Sequence, residues 1–240
     1  MVRRSGRSSF MPRVWVFPGG VVDPEDEGPV AAAALTEAGK DLRPVVAAAM
    51  RELVEEVGIW LTTPNAPASL IASRPVGESV YRSARDAGLV FRAGDLHRFA
   101  NWVTPTAMMK RFDTHFFAAE APPDAVAAPD DSEVDHVRWL TPETAIEEGR
   151  KGDLLISPPT VRTLEVLREF PHMDEFIAHV AALGGHVPAQ RPRIRLVDGA
   201  IEAVAPGDPG FDDLEDLPPD PNLMARAGEF VRPRVGDDAG

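Results

Sequence analysis

The stretch from Pro44 to Gly58, PVVAAAMRELVEEVG, constrains the fold most. Pro44 suits the first turn of a helix, where its missing N–H is no loss, and Gly58 suits the position just past the end. At about 100° per residue, Val46, Met50, Leu53 and Val57 fall on one narrow stripe, which predicts a helix over 44–57 with that stripe against a core. Glu52, Glu55 and Glu56 gather on the opposite side, at spacings that bring all three carboxylates to one patch. The ordinary reading of such a patch is a solvated acidic face. Yet like charges at these spacings oppose a helix by roughly a few tenths of a kcal/mol per pair. They also occupy its last turns, where the helix dipole disfavours anions. A cation on the patch removes both objections, and hard oxygen ligands on a rigid helix suit Mg²⁺ or Mn²⁺. Arg51 can pair with Glu55 one turn on and hold that carboxylate in place.

The charge balance points the same way. The chain has 38 acidic and 25 basic residues, a net charge of -13, which argues against nucleic acid or an anionic membrane as the partner. An acidic protein that binds a phosphorylated small molecule needs metal ions between the two. With no cysteine, disulfides and thiolate metal sites are excluded. No apolar run approaches the roughly 20 residues of a membrane span. The basic start, MVRRSGRSSF, is followed by no signal-peptide pattern, so the cytoplasm is the expected compartment. A homodimer is compatible with all of this.

Along the chain, VWVF (14–17) reads as a short strand ended by Pro18-Gly19-Gly20. A helix is expected over the alanine-rich 30–38, and 67–94 reads as mixed and helical. FANWVTP, RFDTHFFAAE and VDHVRWL read as strands, the last two separated by the polar loop APPDAVAAPDDSE. Helices are expected over 142–150, 159–170 and 173–182. RIRLVDGAIEAVAP suggests a hairpin turned at Asp198-Gly199. The last 35 or so residues, rich in Pro, Asp and Gly, are expected to be partly disordered. The expected organisation is one domain over 1–185 with helical insertions and a C-terminal extension over 186–240.

Arg51-Glu52-Leu53-Val54-Glu55-Glu56-Val57-Gly58-Ile59 resembles the end of the Nudix box, G-x5-E-x7-R-E-U-x-E-E-x-G-U with U aliphatic, and fills every fixed position of that end. Phe17-Pro18-Gly19-Gly20 upstream strengthens the resemblance, which covers roughly 3–170. It implies an α/β fold, an α/β/α sandwich around a mixed sheet, with the box forming a loop, a helix and a loop. It implies a metal-dependent pyrophosphohydrolase in which Glu52, Glu55 and Glu56 hold metal, one of them serving instead as base. The carbonyl of Gly19 or Gly20 completes the shell, with Gly20 preferred, and Arg51 orients the carboxylates. Counting back from Arg51, Arg43 stands where the pattern has its first glutamate, and Glu37 where it has glycine. About 17 residues are therefore inserted. Asp23, Glu25 and Glu27 are substitutes for that glutamate, or solvated loop charges.

The insertion, together with FMPRVWVFPGGVVDPED, NWVTP, KRFDTHFF and LLISPPTVRTL, resembles the acyl-coenzyme A diphosphatase subgroup. That implies coenzyme A or an acyl ester as substrate, with ADP-ribose or a nucleoside diphosphate sugar as the alternative. A Nudix-fold nucleotide-binding regulator is the non-enzymatic alternative. The coenzyme A signature is only partly present: Arg4-Ser5 fits, whereas Ser9 and Arg13 depart from it. Glu133, six residues before Trp139, is the candidate for a further ligand or base, ahead of Asp130, Asp131 and Glu120. Arg111 and Arg13 are the candidates for substrate phosphates, with Lys110 beside the first. Structural roles are expected for His115 and His136, and core packing rather than adenine stacking for Trp102 and Phe112. Met1 to Ser5 supplies only the tail of a first strand, so the sheet is expected to lack most of its first strand pair. Either the hairpin near Asp198 covers that edge or the natural start lies upstream.

Overall fold

The computed structural model describes residues 1–8, 11–36, 42–183, 185–197 and 200–223. The expected turn at Asp198-Gly199 and the chain beyond 223 lie outside them, whereas the helix expected over 30–38 stops at Ala34, where Leu35 turns extended and bridges to Phe91. In order, the elements are β1 (Val2–Arg4), β2 (Trp15–Val16), α1 (Pro29–Ala34), α2 (Arg43–Val57), β3 (Thr62–Thr63), α3 (Ala68–Ser73), α4 (Glu78–Asp86) and β4 (Val90–Phe91). Then follow β5 (His97–Val103), β6 (Asp113–Ala118), β7 (Val134–Val137), α5 (Pro142–Lys151), α6 (Pro158–Arg168), α7 (Met173–Ala182), β8 (Arg193–Val197) and β9 (Ala200–Val204). They fall into two compact units, 1–97 with 118–157, and 98–117 with 158–240.

In the first unit β1 is short, as the sequence suggests, and lies between β2 and β7, antiparallel to both. Val2 sits opposite Val16 on one side and Val137 on the other, and is fully buried. The register against β7 slips between Arg3 and Arg4, a local irregularity of the kind that re-aims a side chain. Just beyond it the Ser5 N–H donates to the Glu133 carbonyl at 2.8 Å, which fixes the head of β7 beside the end of β1. Parallel pairing enters through single bridges, Trp15 to Ile156 and Leu35 to Phe91.

The helix α2 starts and stops where its proline and glycine place it. Gly58 adopts φ 71°, the left-handed conformation, and its N–H closes on the Leu53 and Val54 carbonyls. Val46, Met50 and Val57 are buried as expected, but Val54 replaces Leu53 in that set, Leu53 being only half-buried. The opposite side is not a solvated face either: Arg51, Glu52 and Glu56 are all buried. The cause is a 3-10 turn at Pro24–Glu27 that packs on α2, together with the Pro18-Gly19-Gly20 loop before it.

The inserted residues make α1, which packs on α4, and 62–63 pairs with 90–91 in a two-stranded sheet that the sequence reading passed over. Phe91 stacks on Trp60 at 5.7 Å and takes the edge of Tyr81 at 6.3 Å.

The second unit carries the β5–β6 pair, closed where the Thr104 N–H donates to the Phe112 carbonyl, and α6 and α7. Its β8–β9 hairpin runs in unbroken register from Arg193–Val204 to Val197–Ala200. Ile194 and Ile201 of that hairpin are buried with Ala107 and Leu223. Among the described residues no helix is long and apolar enough to cross a membrane.

Candidate functional site

Arg51 is the hub. Its side chain is 3% exposed, and each of its N–H groups finds an acceptor. Nε donates to Asp26 Oδ1 at 2.9 Å and Nη2 to Asp26 Oδ2 at 3.0 Å, a two-pronged grip. Nη1 donates to Glu52 Oε1 and Glu55 Oε2, both at 2.9 Å, and Nη2 also reaches the Val21 carbonyl at 3.0 Å. No donor is left over for a substrate.

Asp26 is the residue that sequence reading missed. It is 2% exposed, and besides Arg51 it accepts from the Asp23 N–H at 2.8 Å and the Tyr81 hydroxyl at 2.5 Å. Burial alone would raise its pKa; the bonds from Arg51 and Tyr81 outweigh that and hold it below the usual carboxylate range. The signal was present: counting forward from Gly20, G-x5 arrives at Asp26. The insertion therefore lies wholly between Asp26 and Arg51. Of the substitutes considered, Asp23 lies 3.4 Å from Arg51 but is 42% exposed, and Glu27 points to solvent.

Glu52 and Glu56 face the glycine loop. The Gly19 N–H donates to Glu56 Oε2 at 3.0 Å. Gly20 lies so close to the Glu52 carboxylate that a Cβ there would overlap it. Burial pushes the Glu56 carboxyl up to about 8; the Gly19 bond opposes this, and the charges of Glu52 and Glu133 add to it. Burial likewise pushes Glu52 up to about 7, against the pull of Arg51 and with a push from Glu55 and Glu133. Glu133 is exposed at the head of β7, near enough that its charge acts on both buried carboxylates, and the Arg4 charge also acts on Glu56.

Glu55 has turned away. Its Oε1 accepts from the Gly77 N–H at 2.6 Å, at the start of α4, while Oε2 is held by Arg51. Arg13 is exposed in a left-handed conformation, φ 62°, with its side chain lying along Gly6. Arg111 is exposed in the second unit, between β5 and β6, and Lys110 stands 5.1 Å over the Phe112 ring. Asp130 caps the turn before β7, accepting from the Glu133 and Val134 N–H groups. His136 pairs with Arg3 and Asp135. His115 lies within 3.8 Å of Asp113, and Trp102 is half-buried.

Among the described residues no three carboxylate or imidazole side chains close around a single point. The donor set nonetheless fits a hard divalent cation. Two buried carboxylates, held above the ordinary carboxylate range by burial and, for Glu56, by the charge of Glu52, face a glycine backbone with no side chain to block it.

A family model described as the NUDT19 Nudix domain matches residues 40–167. A Caenorhabditis elegans protein designated nudix hydrolase 7 is 27% identical over 180 residues, 72% of this chain and 57% of that protein. The match thus spans little more than half of that relative. The acyl-coenzyme A diphosphatase NUDT19 of Xenopus laevis is 24% identical, over 96% of this chain and 76% of the relative. A crystal structure of a Nudix hydrolase from Alicyclobacillus acidocaldarius superposes with a TM-score of 0.62 at 26% identity, over 74% of this chain and 86% of that one.

Proposed function

The chain belongs to the Nudix hydrolase family, and from that premise we propose that it hydrolyses the pyrophosphate bond of coenzyme A or an acyl-coenzyme A with the help of Mg²⁺ or Mn²⁺. The observation that carries the reading is the pair of buried carboxylates, Glu52 and Glu56, set against the Gly19-Gly20 backbone on the box helix. Glu52, Glu56 and the Gly20 carbonyl would hold the ion. Bound there, it would stabilise charge on the phosphoryl oxygens and lower the pKa of an attacking water.

The chain's own residues have distinct tasks in this reading. Arg51 fixes the direction of Glu52 and touches no substrate. Glu133, exposed and adjacent, is the acceptor for the proton that water loses. Arg13 is the proposed contact to substrate phosphates. Water oxygen adds to one phosphorus while the bridging P–O bond breaks, and coenzyme A yields 3′,5′-ADP and a 4′-phosphopantetheine product. The family model and the name of the Xenopus relative support this substrate class.

A hydrolysis screen with Mg²⁺ and with Mn²⁺ tests the proposal, over coenzyme A, acyl-coenzyme A, NADH, ADP-ribose and dinucleoside polyphosphates. The expected product is 3′,5′-ADP. Turnover of nucleoside diphosphate sugars alone would overturn the substrate, and turnover of none would overturn the enzymatic reading.

A further inference from the structure

The chain contains one tyrosine, Tyr81, and it is fully buried in the middle of α4. A phenylalanine would fill the same space against Phe91, so packing alone does not call for the hydroxyl. A buried hydroxyl is costly unless it is matched, and this one is matched by a single atom, Asp26 Oδ1 at 2.5 Å. That same oxygen accepts from Arg51 Nε, and Arg51 Nη1 in turn grips Glu52. One turn earlier in the chain, the Gly77 N–H takes the other arm of the hub through Glu55. The helix α4 is thus tied twice to the charges that surround Arg51.

We propose that Tyr81 is a positioning residue for the metal-binding carboxylates: its hydroxyl fixes Asp26, Asp26 fixes the plane of the Arg51 guanidinium, and Arg51 fixes Glu52. This rests on the metal site proposed above. The chain of contacts has no slack, because both oxygens of Asp26 and every N–H of Arg51 are engaged. Without the hydroxyl, Asp26 loses what is, among the described residues, its one donor from outside the loop and the hub, and the guanidinium is no longer held in one orientation.

The test is Mn²⁺ affinity, measured by electron paramagnetic resonance or calorimetry on the full chain. Tyr81→Phe is expected to bind Mn²⁺ roughly tenfold more weakly, at the low end for outer partners of a metal ligand. Asp26→Asn is expected to weaken binding at least as much, and the double variant no more than Asp26→Asn alone, because the two act in series. An unchanged affinity in Tyr81→Phe, with only a lower melting temperature, overturns the proposal. So do additive losses in the double variant. Should Tyr81→Phe not fold, Asp26→Asn decides, and unchanged affinity there overturns it too. A wild-type chain that binds no Mn²⁺ sinks the metal site itself, an outcome distinct from wild-type binding with an unaffected variant.

Discussion

Glu55 and Asp26 are neighbours of the same arginine with different consequences. Glu55 accepts from Arg51 and from the Gly77 N–H at the start of α4, where the helix dipole favours an anion. Glu55→Ala is expected to cost about 1–3 kcal/mol of stability, the range for leaving a buried donor unmatched, and to weaken Mn²⁺ binding less than Asp26→Asn does. Denaturant unfolding with a parallel Mn²⁺ titration checks this, and a large loss of affinity at unchanged stability would return Glu55 to the metal. The Arg51–Glu55 pair was legible in sequence because its partners are one helical turn apart. The Gly77 contact was not, since nothing local links residues 22 apart in the chain. Asp26 was legible by counting forward from Gly20 and was hidden by counting back across the insertion.

At the level of elements, the helix was readable to within a residue because Pro44 and Gly58 terminate it by backbone chemistry. What covers its acidic face was not legible, because periodicity tells sides apart, not what packs on them. The cover comes from the 3-10 turn and the glycine loop, each too short to leave a periodic trace. The β3–β4 pair, two residues per strand, escaped for the same reason. The loop's closeness to α2 gives its own prediction. In Gly20→Ala the new methyl group would collide with the Glu52 carboxylate. The side chain must move or the loop must lift, so turnover is expected to fall by about 10-fold or more, with a Mn²⁺ affinity that falls alongside. Steady-state kinetics at several Mn²⁺ concentrations would show it; wild-type kinetics would mean that the loop does not define the site.

For the whole molecule, the buried carboxylates set how stability depends on pH. Glu56 is raised to about 8 and Glu52 to about 7, so between the ordinary carboxylate range and those values the folded chain binds more protons than the unfolded one. Stability of the metal-free protein therefore falls as pH rises through that window. Asp26 has the opposite sign: held below its ordinary value, it contributes stability that is lost as pH falls through its folded pKa. A chain freed of metal by chelation is expected to be most stable at mildly acidic pH, and Mg²⁺ to remove the loss on the alkaline side. Melting temperatures from about pH 5 to about pH 9, with chelator and with Mg²⁺, check this; parallel curves would show that the ion does not meet these carboxylates. The net charge of -13 had raised the expectation that a phosphorylated ligand would need metal ions between it and this chain. The division into two units was not legible, because 98–117 joins 158–240 across an intervening stretch of the other unit.

The most direct test of the metal site is Glu56→Gln, assayed for coenzyme A hydrolysis at saturating Mg²⁺ beside the wild-type chain. The substitution keeps the side chain's shape and its bond from Gly19 while removing the charge. A loss of turnover of about 100-fold or more is expected in a protein that still folds, since the ion would lose a charged ligand. Near wild-type turnover in the folded variant would contradict it.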